Sequence, residues 1–191
     1  MRKLLFVLAI VVLPVWLLAQ DVPKGEMFGG YSYLGTSGQG FNGFNGQFTY
    51  NRSEALGITG DVGGSYAGQS VNVSGIGGVS AHTRTYTFLV GPTYSYRKLD
   101  KLVPFGHLLV GFAHGHTSAQ TSVIGGPSVN ISTSGNGFGL AFGGGVDYEL
   151  NESWAIRPVQ MNYVSVNVGS GHANAFRYAA GIVYRTRSRV F

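Results

Sequence analysis

The sequence predicts an all-β chain in which eight antiparallel strands close into an up-and-down transmembrane β-barrel behind an N-terminal signal peptide. Three observations predict it. From about Met27 to Tyr184, large apolar residues recur at every second position opposite small or polar ones, and that period gives a strand two unlike faces. The connections alternate between short charged turns and longer neutral segments. An export leader precedes the whole.

The leader is residues 1–19. Arg2 and Lys3 form its positive start, Leu4 to Leu18 is an apolar run broken only by Pro14, and Ala19 offers a small residue for cleavage. Leu17 is larger than the residue usual two places before a cut, so cleavage after Ala19 and cleavage after Gln20 both fit. The run is short for a retained membrane helix. Residues 20–191 then form one domain. Without Arg2 and Lys3 it holds 11 basic and 8 acidic residues, a net charge of +3. No basic cluster is interleaved with aromatics, so nucleic acid is not expected as a partner. The chain has no cysteine, which excludes a lipoprotein anchor, disulfides and thiolate metal sites. Thirty-one glycines would suggest disorder elsewhere. Beside 12 Phe, 11 Tyr and 2 Trp in sustained alternation, they read instead as bends in strands.

The strands are predicted at about 26–35, 43–51, 55–66, 82–96, 103–116, 137–150, 154–167 and 174–185. The first carries Phe28-Gly29-Gly30-Tyr31-Ser32-Tyr33. In the second, Phe44 and Phe48 alternate with Asn45 and Gln47. In the third, Leu56, Ile58, Val62 and Tyr66 interleave with Gly57, Thr59, Asp61, Gly63 and Ser65. The fourth sets Tyr86, Phe88, Val90 and Tyr94 against Thr85, Thr87, Gly91 and Thr93. The fifth places Leu108 and Val110 opposite His107 in parity, and the sixth does the same with Phe142, Val146 and Asp147. The seventh keeps Arg157, Gln160 and Asn162 on one face only if a bulge falls near Pro158 and Val159. Proline lacks the ladder donor, and bulges accommodate it. The eighth ends at Tyr184, after which Arg185, Arg187 and Arg189 take alternate positions. A short basic tail from 185 is the reading preferred there, with arginines at the barrel mouth as the other.

Arg52, Glu54, Arg97, Lys98, Asp100, Lys101 and Glu152 all lie in or beside the short turns, Arg52–Glu54, Arg97–Leu102 and Asn151–Ser153. The longer segments, such as Ala67–Ala81 and Thr117–Asn136, hold no charge. Short periplasmic turns opposite longer outer loops are the pattern of an outer-membrane barrel. Hairpin closure then pairs Asp147 with Arg157, Asp61 with Asn45, Thr59 with Gln47 and His107 with Thr93. Closure of the last strand on the first brings Arg185 near Glu26. These polar groups match if they point into the lumen. The expected lumen network is Glu26, Asp61, His107, Asp147, Glu149, Arg157, Arg177 and Arg185. Phe44, Phe48, Ile58, Val62, Phe88, Val90, Leu108, Val110, Phe142 and Val146 take the other parity and face lipid. The opposite arrangement would set charges in hydrocarbon at a cost of several kcal/mol each. It would also overfill a lumen that eight strands leave only just wide enough for side chains.

The chain resembles the small eight-stranded outer-membrane barrels, the OmpA-like and OmpX-like group. The resemblance rests on the first-strand run above, on Phe88-Leu89-Val90-Gly91-Pro92, and on Pro104-Phe105-Gly106-His107. To these it adds Gly143-Gly144-Gly145-Val146-Asp147, Ile156-Arg157-Pro158 and Ala180-Gly181-Ile182-Val183-Tyr184. It covers essentially the whole mature chain. It implies residence in the cell outer membrane of a Gram-negative-type envelope, with outer-membrane lipid and lipopolysaccharide around the barrel. It also implies escort by periplasmic chaperones and insertion by the barrel assembly machinery. No peptidoglycan-binding domain follows the barrel in this sequence, and the arginines before Phe191 depart from the apolar alternation usual in the last strand.

A non-enzymatic, monomeric barrel with a side-chain-filled lumen is the function expected, in a structural, membrane-integrity or surface-interaction role. A narrow channel for small solutes is the alternative, followed by an adhesin acting through the neutral loops and a lipid A-modifying enzyme. His116-Thr117-Ser118 has the spacing of a histidine base and serine nucleophile, but no Asp or Glu lies between Lys101 and Val146 to orient the histidine. His114 and His116 share a face without an evident third metal ligand. Gly143-Gly144-Gly145 precedes no helix and does not cradle phosphate. No catalytic residue, metal or cofactor is expected.

Overall fold

The structure is a computed structural model that describes residues 22–36, 38–73, 77–123, 129–168 and 171–186. The expected leader and the residues after Thr186 lie outside that range. The strands are β1 (Gly25–Gly35), β2 (Gly40–Asn51), β3 (Leu56–Val73), β4 (Gly77–Ser95), β5 (Leu102–Val123), β6 (Val129–Glu149), β7 (Trp154–Val168) and β8 (Gly171–Arg185). Each pairs antiparallel with its neighbour in sequence, and β8 returns to β1 from Glu26↔Arg185 to Gly35↔Phe176. The result is a closed eight-stranded barrel without a sheet edge at its waist.

The alternation sorts as expected around most of the wall. Ile58, Phe88 and Val90 are 57%, 55% and 53% exposed, whereas Asp61 on the opposite parity is 1% exposed. The exposed band has an internal order that the sequence reading did not extract. Val62, Phe88, Phe112 and Phe138 face each other in one row across β3 to β6. Tyr50, Tyr94, Tyr148, Trp154 and Tyr184 flank the band at the short-turn end, and Tyr31, Tyr33 and Tyr66 flank it at the other. Amphipathic rings at both borders of an apolar belt mark the two membrane–water interfaces.

Four expectations are corrected. The neutral segments 67–81 and 117–136 are mostly strand, because Ser70 meets Ser80 and Thr117 meets Thr133 in an unbroken ladder. Gln69 and Ser70, neighbours on opposite faces, are both exposed, so a lack of apolar alternation says nothing against pairing there. The register of β2 on β3 is shifted by two residues from the one expected, with Arg52 and Ser53 donating to the Leu56 carbonyl. Gln47 therefore faces Asp61, and Thr49 faces Thr59. Arg185 is the last residue of β8 and is buried, so the tail expected from 185 cannot include it. Finally, not every bulky apolar residue faces lipid. Leu89, Leu109, Ala141 and Val164 are buried in the lumen, with Leu34 and Val166 packed against them.

The bulge expected near Pro158 is present. Pairing of β7 with β8 shifts between Arg157 and Gln160, and Arg157, Gln160 and Asn162 all lie buried on the inner face. Several glycines allow strands to approach closely. A Cβ at Gly43 would overlap the Gly64 carbonyl, and one at Gly144 would overlap that of Phe105.

Candidate functional site

Two features stand out as candidates for function, the filled lumen and a sheet raised above it. The lumen is layered. At the short-turn end Glu26 receives Asn51 Nδ2 at 2.7 Å and an ion pair from Arg97, and Arg185 Nε approaches it at 3.8 Å. Arg185 also pairs with Glu149 and lies 3.6 Å from Asp147. One turn further in, Arg157 binds Asp147 with Nε at 2.6 Å and Nη2 at 3.1 Å. Its Nη1 donates to Gln47 at 2.6 Å and to Gln160 at 2.7 Å. The Phe28 and Phe105 rings lie 4.4 and 4.1 Å from that guanidinium, within cation–π range.

Gln47 carries the network on. Its Nε2 donates to Asp61 at 2.8 Å, as does Asn45 Nδ2 at 2.8 Å. Arg177 closes on the same carboxylate with Nη1 at 2.9 Å and Nη2 at 2.8 Å. His107 Nε2 lies 2.8 Å from the Asn162 amide beside them. Beside these polar groups Leu89, Leu109, Ala141 and Val164 form a buried apolar cluster in the same interior.

Of the eight residues expected in the lumen network, seven are buried in this one interior, and Glu149, with its side chain 34% exposed, joins them through Arg185. Glu26, Asp61, Asp147 and Glu149 face Arg97, Arg157, Arg177 and Arg185, four carboxylates against four guanidiniums. Sequence reasoning missed Arg97, which it left in a turn, and although it placed Asn45, Gln47, Gln160 and Asn162 on the inner face it did not count these bridging amides in the network. Parity with Asp61 marks Asn45 and Gln47 as inward, and the bulge expected near Pro158 does the same for Gln160 and Asn162. The sequence reading also gave no inward role to Phe28 and Phe105, although both share parity with inward positions.

The second feature comes from strand length. β3 to β6 have 18, 19, 22 and 21 residues, against 11, 12, 15 and 15 in β1, β2, β7 and β8. Pairing of β2 with β3 stops at Asn42↔Tyr66, and that of β6 with β7 at Gly137↔Val168. Four strands therefore continue as a sheet beyond the barrel rim, with open edges at residues 67–73 and 129–136. Of the histidines weighed for catalysis, His114 Nδ1 is bonded to Asn136 Oδ1 at 2.6 Å, and His116 lies across from Arg84. Among the described residues no group of three His, Cys, Asp or Glu could hold a metal.

No family model matches the chain, and no curated protein matches it significantly. Solved structures do. Ail, the attachment invasion locus protein of Yersinia pestis, superposes with a TM-score of 0.56 over 87% of this chain and 99% of that one, at 19% identity. The fold is that of the outer-membrane barrels. Neisserial surface protein A gives a TM-score of 0.43 at 14% identity, covering 86% of this chain and 96% of that one. The outer membrane protease OmpT of Escherichia coli gives 0.49 at 13% identity, over 77% of this chain and 64% of that one. The closed wall, the apolar belt and the paired aromatic borders fit that location in an outer membrane. A shared fold assigns no activity by itself.

Proposed function

We propose that this chain is a non-catalytic, non-conducting outer-membrane barrel that works at the cell surface through the sheet raised by β3 to β6. The unequal strand lengths carry the reading. About 9–11 residues suffice for a strand to cross a membrane. β1 and β2, with 11 and 12 residues, are cut to that length, and the middle four strands are not. A sheet with open edges offers backbone donors and acceptors to an extended segment of a partner. The lumen supports the same reading, since Arg157 lies against two aromatic rings and Leu89, Leu109 and Val164 add buried apolar bulk to the same interior.

The test removes the extension and leaves the barrel. A variant lacking residues 68–81 and 117–134, each rejoined by a two-residue turn, keeps every inner layer of the lumen. It is expected to migrate as a folded, heat-modifiable band from the membrane fraction, while cells bearing it lose attachment to surfaces. Undiminished attachment by a folded truncated barrel overturns the surface role. Stepwise conductance of the wild type in planar bilayers overturns the closed lumen.

A further inference from the structure

The outer wall of the raised sheet holds a cluster that the lumen network and the open edges leave unused. Tyr66, Arg84, His116 and Ser134 face each other in one row across β3 to β6. Tyr86, His114 and Asn136 form the row on the barrel side, and His82, Ser118 and Ser132 the row beyond. Arg84 has the same parity as Phe88 and Val90, so its side chain leaves the wall on the lipid side and is exposed.

Two facts set this cluster apart. Arg84 makes no ion pair among the described residues, whereas Arg97, Arg157, Arg177 and Arg185 are all paired. The chain has no Asp or Glu between residues 62 and 99, between 101 and 146, or after 152. The outer half of the wall therefore offers guanidinium, imidazole, hydroxyl and amide groups with no carboxylate to oppose them. Depth is the second fact. Arg84 stands four residues beyond Phe88 of the apolar belt. At a rise of about 3.3 Å per residue and a tilt near 45°, it sits about 9 Å above that ring. The intervening row holds Tyr86, whose hydroxyl meets that of Tyr66 at 3.2 Å. With Phe88 in hydrocarbon and the Tyr86 row at the membrane–water border, that height falls in a headgroup layer.

We propose that Arg84, with His82, His114 and His116 around it, binds the phosphate of an outer-leaflet phosphoglycolipid. The guanidinium supplies a fixed, planar set of donors suited to a phosphate, and the neighbouring rings and hydroxyls complete its shell. The belt below takes the acyl chains. The site rests on the surface-facing orientation proposed above and adds to it a lipid that holds the raised sheet upright against the leaflet.

The mature chain is reconstituted in phosphatidylcholine nanodiscs carrying a trace of lipid A, either bisphosphorylated or enzymatically dephosphorylated, and bound lipid is read by native mass spectrometry. The wild type should retain the phosphorylated form about fivefold better, the factor expected of one cation at an anionic headgroup layer. Arg84→Gln should bring that ratio near one, and His82→Gln with His116→Gln should place it between. An unchanged ratio in Arg84→Gln overturns the site, as does an absence of preference in the wild type. Release by millimolar inorganic phosphate overturns the lipid as its occupant. Heat-modifiable migration confirms that each variant is folded, which the exposure of Arg84 favours. A Gln120→Cys variant, labelled in intact cells by a membrane-impermeant maleimide, fixes orientation separately. Failure to label overturns both proposals, whereas labelling without lipid preference overturns the lipid site alone.

Discussion

Arg177 on β8 and Asp61 on β3 meet across the lumen in a two-pronged ion pair, 116 residues apart in the chain, with N–O distances of 2.9 and 2.8 Å. Their side chains are 3% and 0% exposed. Desolvation offsets much of the attraction in such a pair, so its presence alone is weak grounds for stability. Breaking it is another matter. Arg177→Met strands a buried carboxylate and should cost about 3–5 kcal/mol, while Arg177→Met combined with Asp61→Asn should recover most of that loss. Urea unfolding in lipid vesicles, followed by Trp154 fluorescence, measures both. Equal losses in the single and double variants would show that the two residues are not coupled.

Arg157 adds planarity to charge. It holds Asp147 through two nitrogens, reaches two amides with a third, and lies against Phe28 and Phe105. A lysine keeps the charge and loses the fork and the flat face. Arg157→Lys should therefore destabilise the barrel by about 1–3 kcal/mol, the worth of hydrogen bonds to a charged group. Truncation to alanine should be worse than the double change with Asp147→Asn. A Lys variant with wild-type unfolding midpoints would reduce Arg157 to a point charge.

Glycines in the wall divide by what lies over them. A Cβ at Gly91 would run into the Leu108 carbonyl, and one at Gly43 into that of Gly64, whereas nothing lies within 4 Å of the Cβ position at Gly60. Backbone cannot give way as a side chain can. Gly91→Ala and Gly43→Ala should each cost about 1–3 kcal/mol. Gly60→Ala should be neutral or stabilise by about 0.4–1 kcal/mol through the unfolded chain. Similar folding yields and unfolding midpoints for all three would contradict the close strand approach.

Period-two alternation made the barrel legible because lipid and lumen impose opposite chemistry on neighbouring residues. Where that contrast fades, so does the signal. Beyond Tyr66 the apolar-polar contrast is missing from the sequence, and Ser70 and Ser80 read as loop although they pair. The lumen charges were legible for the same reason, since Asp147 and Arg157 had nowhere else to go. Arg97 was not, because its sequence neighbours Lys98 and Asp100 belong to a turn, and only closure brings it to Glu26. Leu89 and Leu109 were hidden differently. Each sits at an inward position that parity alone would assign to a polar residue, and their mutual packing follows from the barrel's curvature.

Exposure means different things at different heights on this wall. Val90 in the belt is 53% exposed, and Gln120 on the raised sheet is exposed as well. If the belt lies in hydrocarbon, an arginine at position 90 must drag water inward or bend toward an interface, at about 2–4 kcal/mol near the midplane. The same change at position 120 meets water already and should cost nothing measurable. Val90→Arg and Gln120→Arg, unfolded side by side in urea with vesicles present, give the comparison directly. Spin labels at the two positions provide an independent reading, with molecular oxygen reaching the first and a water-soluble nickel chelate the second. Matching unfolding costs, or a wet label at position 90, would place the belt outside the bilayer and return the wall to a soluble barrel.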